Sequence, residues 1–198
     1  GVIAIQLPIE KVEAGLVGMK ADLCSEPLVG AKGIMTTDTY PKAISISCDK
    51  YTLTVVGKGS GMIEPNMATM LAYILTDIDL PRELLRELLS EVVDGSFNSI
   101  SVDSDQSTSD TLAMISSGKI SFSGSDEEVA EIRTALTEVC RELAELIVRN
   151  GEGCNHLIRV VVTGGATAAE AKGVGKAVVN SPLFKCAVAG NDRGRKHC

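Results

Sequence analysis

The chain has 198 residues, 44% of them hydrophobic and 23% charged, which suits one globular domain able to bury roughly 70% of its unfolded surface. The formal net charge is −7, the charges are interspersed, and aromatics make up 3% with no Trp. That composition excludes a basic, aromatic-lined nucleic-acid surface and demands an aliphatic core. Apolar runs are too short to span a bilayer and no basic leader precedes the first apolar residues, so a cytoplasmic location without membrane contact is expected.

In chain order, residues 1–16 read as a short apolar strand followed by a helical start, with Pro8 at the helix entrance where a missing N–H costs nothing. AKGIMTTDTYPK reads as a hydroxyl-rich turn or strand edge. Residues 43–47 and 51–56 alternate apolar and polar around Cys48-Asp49-Lys50, a β-hairpin pattern. A glycine-rich turn with Pro65-Asn66 then leads into an apolar strand through Leu75. Pro81 opens a helix whose stripe is Leu84, Leu85, Leu88, Leu89 and Val92, ended by Gly95. Residues 97–102 read as a short strand running into a polar loop. Ser125 and Glu128 have capping-box form ahead of a long amphipathic helix, stopped at Asn150-Gly151. Residues 156–163 form a β-branched run, and residues 167–179 a third helix. Mixed α and β elements with hairpin signals predict a layered α/β fold, and no composition break divides residues 1–198.

Several motifs fail on inspection. The P-loop pattern ending at Gly175-Lys176 has Ala177 in place of Ser or Thr and Glu170 in place of its first glycine. A dinucleotide pattern begun at Gly59 meets Glu64. A calcium loop begun at Asp103 would require glycine and glutamate where Thr108 and Met114 stand. Asp103, Asp105 and Asp110 are therefore expected to close turns by side chain-to-backbone hydrogen bonds. The six cysteines form no C-x-x-C pair and the chain has two histidines, which predicts reduced thiols and no zinc site.

The scarcity of histidine also removes a Ser-His-Asp arrangement. A threonine freed by cleavage of the bond before it can use its own α-amine as base, with a pKa of roughly 7.7–8.0. Ala68-Thr69 suits such a cut: a small residue precedes the hydroxyl and a turn precedes both. An ordinary strand-start threonine fits the same spacing.

KGSGMIEPNMATML resembles the self-processing segment of the ornithine acetyltransferases, or glutamate N-acetyltransferases, of arginine biosynthesis. GVIAIQLP, GIMTTDTYPK, SFNSISVDSDQSTSDT, NGEGCNHL and KCAVAGND resemble further motifs of that family in the same order. The resemblance implies an αββα-type sandwich, with the chain as the central part of a longer enzyme. It also implies self-cleavage between Ala68 and Thr69 into α and β chains that stay associated. Thr69 would take the acetyl group from N-acetylornithine and pass it to glutamate without cofactor or metal. Thr36, Lys58 and Glu152 match substrate-binding positions, and Gly1 matches the glycine of a Thr-Gly oxyanion pair whose threonine would precede it. A homo-oligomer is expected. The chain departs from the family pattern at Cys154-Asn155-His156 and after Asp192. Two alternatives stand beside the acetyltransferase: an N-terminal-threonine aminopeptidase or amidohydrolase, and a fragment without activity of its own.

Overall fold

The computed structural model describes residues 5–64, 70–107 and 110–192. Ala68, Thr69 and Gly1 lie outside these residues. Helix α1 (Ile9–Leu16) follows Pro8, and α2 (Pro27–Ile34) starts on a proline with the Glu26 carboxylate accepting from Leu28 N. The hairpin forms as β1 (Lys42–Ser47) and β2 (Thr52–Lys58), followed by β3 (Leu71–Ile78) antiparallel to β2. Helix α3 (Arg82–Asp94) then crosses over to β4 (Thr111–Ile120), which pairs with β3 in parallel. The sheet order is β1-β2-β3-β4. Helix α4 (Asp126–Arg149) is capped by Ser125, whose Oγ accepts from Glu128 N at 3.2 Å. Helices α5 (Ala168–Val179) and α6 (Pro182–Ala189) close the described chain.

The layered α/β class is as the sequence implies, although β3-α3-β4 is a parallel crossover that the hairpin signals did not suggest. Strand parity separates two faces. Ile44, Ile46, Leu53, Val55, Ala72, Ile74, Leu112 and Met114 face one layer built from α3 and α4, contributing with Leu88, Val92, Leu136, Leu143 and Ile147 to a continuous aliphatic core. Leu75 and Ile115 lie on the opposite face and are 39% and 53% exposed. The sheet and its helices thus form one sheet-plus-helix layer of the sandwich implied by the resemblance.

Two extended expectations change. Phe97–Ser99 is a 3-10 turn, because Ser96 Oγ and the amides of Ser99 and Ile100 bond locally rather than to a neighbouring strand. Residues 156–163 form no regular element and join no ladder among the described residues, despite their β-branched composition. Helices α5 and α6 bury no residue fully. They attach through lysines instead: Lys172 pairs with Asp94, while Lys176 and Lys185 donate to the carbonyls of Ile100 and Val102.

The α4–β2 contact is closely packed, since a Cβ on Gly57 would lie 2.9 Å from Leu143 Cδ2. Leu143→Ala is expected to lower unfolding free energy by about 2–5 kcal/mol in urea titrations, because that packed site cannot readily collapse. Leu183→Ala on the exposed side of α6, 85% accessible, is expected to change it by less than about 0.5 kcal/mol.

Candidate functional site

Lys58 is the last residue of β2. It pairs with Leu71 of β3, which pairs in turn with Thr111 of β4, so three strands present one row at the same end of the sheet. Gly57 packs on Leu143 of α4, and alternation then sends Lys58 to the opposite face. There Lys58 Nζ donates to Thr36 Oγ1 at 3.4 Å. Glu152, just beyond α4, donates its backbone N–H to Ser60 O at 3.0 Å. Its carboxyl lies over Gly61, where a Cβ would meet Glu152 Cδ at 2.8 Å. Thr36, Lys58 and Glu152, more than a hundred residues apart at the extremes, therefore gather around residues 58–61. The expected nucleophile Thr69, its partner Ala68 and the oxyanion glycine Gly1 fall outside the described residues.

Beneath this turn lies a polar cluster. Lys42 is 1% exposed, and its Nζ donates to Asp38 Oδ1 at 2.6 Å and Asn150 Oδ1 at 2.7 Å, with the Tyr40 ring 5.0 Å away. Asp38 also accepts from Gly59 N at 2.8 Å and Thr36 N at 3.2 Å. Asn150 accepts from Thr39 N through its side chain and from Ser60 Oγ through its carbonyl. Burial opposes the charge on Asp38, but the hydrogen bonds from Lys42, Gly59 and Thr36 prevail and hold its pKa below the usual carboxylate value. Burial draws Lys42 below the ordinary lysine value, with Asp38 working against that fall. From the sequence neither Asp38 nor Lys42 is picked out, and Asn150 only as a helix stop. One signal was present: Lys42, Ile44 and Ile46 alternate, which points the lysine into the core.

The far side of the turn is fixed as well. Asp103 accepts from Met62 N at 2.6 Å and Ile63 N at 2.9 Å, and Met62 holds a left-handed φ of 56°. The expected turn-closing role of Asp103 is realised, on a segment forty residues away as well as on Asp105 N. Glu64 is held by Ser101 Oγ and Asn180 Nδ2, with Lys176 Nζ at 3.8 Å. No cluster of metal-ligating side chains occurs among the described residues.

Asp110 differs from the other two acids of that polar loop. Burial pushes its carboxyl up to about 7, against the pull of the Lys58 ammonium and a hydrogen bond from Ser107. Its Oδ2 is buried without a hydrogen-bond partner. A folded-state pKa above the unfolded value means that the folded protein binds the extra proton, so this contribution to stability is complete below about pH 4 and lost as pH rises through about 7. Asp110→Asn does not titrate there. Its melting temperature relative to the parent chain is expected to rise from pH 4 to pH 8, and a constant difference would show that Asp110 ionises normally.

Comparison with known proteins identifies the family. The family model for ArgJ matches residues 1–195. The arginine biosynthesis bifunctional protein ArgJ of Rhodococcoides fascians is 40% identical over 192 residues, covering 97% of this chain and 47% of that protein. ArgJ 2 of Nostoc sp. is 45% identical over 193 residues, covering 97% of this chain and 49% of that protein. The chain thus spans about half the length of these curated relatives. The crystal structure of arginine biosynthesis bifunctional protein ArgJ from Bacillus halodurans superposes with a TM-score of 0.57 at 36% identity, over 64% of this chain and 61% of that one. The order of the elements, the turn after β2 and the match along residues 1–195 have one reading: the chain belongs to the ArgJ family.

Proposed function

We propose that this chain is the part of an acetyltransferase that carries its nucleophile, and that the enzyme moves an acetyl group from N-acetylornithine to glutamate through acetyl-Thr69. The observation that carries this reading is the gathering of a cation, an anion and a hydroxyl, from Lys58, Glu152 and Thr36, around the turn that leads to Thr69. N-acetylornithine bears a carboxylate and a side-chain ammonium. Lys58 answers the first and Glu152 the second, which orients the acetamide between them.

In the first step the Thr69 hydroxyl attacks the Ala68 carbonyl, and the peptide nitrogen leaves as the α-amine of Thr69. Water then opens the resulting ester, leaving a carboxylate on Ala68 and a free hydroxyl on Thr69. The new amine takes the hydroxyl proton as the oxygen attacks the acetyl carbonyl of the donor. Collapse of the tetrahedral intermediate expels ornithine, whose leaving nitrogen receives that proton. The amine of glutamate attacks the acetyl ester by the same steps in reverse, which regenerates Thr69. Gly1 is placed in this reading as an oxyanion donor, and losing such a donor typically costs about 10²–10³ in rate. The cleaved halves stay associated and the enzyme works as a homo-oligomer in the cytoplasm.

Intact-mass measurement on purified, denatured protein tests the first step: two species dividing at Ala68-Thr69 are expected, and a single species for Thr69→Ala. Acetyl release at equal rate with and without glutamate would instead make water the acceptor and the protein an amidohydrolase. Gly61→Ala tests the role of Glu152. The three atoms nearest the added methyl all belong to the carboxyl end of that side chain, so the fold is expected to persist while KM for N-acetylornithine rises roughly tenfold in steady-state assays.

A further inference from the structure

We propose that Asp38, Lys42 and Asn150 form a positioning strut that fixes the spacing between the cation at Lys58 and the anion at Glu152, and so selects a substrate carrying both charges. The inference rests on the acetyltransferase reading above and assigns to three residues a role that lies outside the binding positions themselves.

The geometry is continuous from the Lys58 side chain to the Glu152 backbone. Asp38 accepts from the amide of Gly59, the residue after Lys58, at 2.8 Å, and from the amide of Thr36, whose hydroxyl receives Lys58 Nζ. Lys42 Nζ joins that carboxylate to the Asn150 side chain, with both halves of the Lys42–Asp38 pair fully removed from solvent. The Asn150 carbonyl accepts from Ser60 Oγ at 2.8 Å, and Ser60 O accepts from Glu152 N at 3.0 Å. The links between residue 58 and residue 152 are thus hydrogen bonds to or from this cluster, except the two outermost, Lys58 Nζ to Thr36 Oγ1 and Glu152 N to Ser60 O. A glycine, Gly59, sits where the strut meets the core, and a Cβ there would lie 2.8 Å from Ile63 Cδ1 and 3.1 Å from Ile147 Cγ2, so the buried Ile63 side chain would have to shift.

The chemistry of the cluster also points to position rather than stability. A buried ion pair is commonly no better than apolar residues of the same volume, because both charges lose their hydration. Its directional bonds do fix the atoms that share it. Three acceptor sites filled on Asp38, and Asn150 bonded through both side chain and backbone, leave the turn one arrangement. A carboxylate and an ammonium held on a flexible loop would accept many ligands, whereas a fixed separation favours one chain length between them.

The test uses the 198-residue chain and the double variant Asp38→Asn/Lys42→Met, which removes both buried charges so that neither is left unpaired. Calorimetric titration with N-acetylornithine is compared with N-acetylnorvaline, which keeps the carboxylate and lacks the ammonium. The strut predicts that the folded variant loses N-acetylornithine affinity roughly 10- to 100-fold while N-acetylnorvaline binds as it does to the parent chain. Unchanged binding of N-acetylornithine, or an equal loss for both ligands, would overturn it. Asn150→Ser, which breaks the link to α4 but keeps the ion pair, gives the same readout if the double variant fails to fold. Absence of N-acetylornithine binding by the parent chain would overturn the acetyltransferase reading itself and the strut with it.

Discussion

An ammonium placed inside a protein has to be met by an anion and by further acceptors, and Lys42 imposes that demand at one end of the sheet. Strand alternation leaves it no route to solvent, because Ile44 and Ile46 follow it on the core face. Asp38 must therefore fold back over β1, and α4 must end with Asn150 within reach. Satisfying one cation fixes the path of residues 36–42 and the end of the longest helix. It also fixes the turn that leaves β2, through Gly59 and Ser60.

The turn is held from its other side by groups that come from elsewhere in the chain. Asp103 receives two successive amides, which allows Met62 to sit at positive φ, a conformation that costs energy in a residue with a side chain. Ser101, Asn180 and Lys176 hold Glu64, and the lysines of α5 and α6 hold the carbonyls at 100 and 102. These helices bury little apolar surface, so they anchor the loops chiefly through polar contacts.

Legibility in the sequence followed periodicity. The hairpin, α3 and α4 have strict two- or 3.6-residue patterns and cap signals, and they form within a residue or two of where those patterns place them. β4 carries Ser116, Ser117, Gly118 and Lys119 and offers no strand pattern that the sequence reading picks out, and its pairing with β3 makes it a strand. Residues 156–163 show the converse: strong β propensity, yet no ladder joined among the described residues. Helices α2 and α6 are one or two turns begun by prolines, too short for a periodic signal. At the site, Thr36, Lys58 and Glu152 came from resemblance, not from spacing. The strut was harder to see because its members are 38, 42 and 150, and hydrogen bonding across that separation leaves no local pattern.

Two lysines at the same end of the sheet show how the fold assigns roles to one residue type. Lys42 pairs across the ladder with Gly57, and Lys58 is the next residue along β2. One position of parity separates them. Lys42 points to the helical layer, where its charge is cancelled by Asp38 and cannot meet a ligand. Lys58 points to the other face, makes a long hydrogen bond to Thr36, and has no carboxylate within ion-pair distance among the described residues. The nearby acid that acts on it, Asp110, has a pKa of about 7, so at neutral pH it only partly offsets the lysine's charge. A structural cation thus sets the backbone, and a second cation, displaced by a single residue of strand register, is left without an ion pair among the described residues, as the proposed carboxylate-binding role requires.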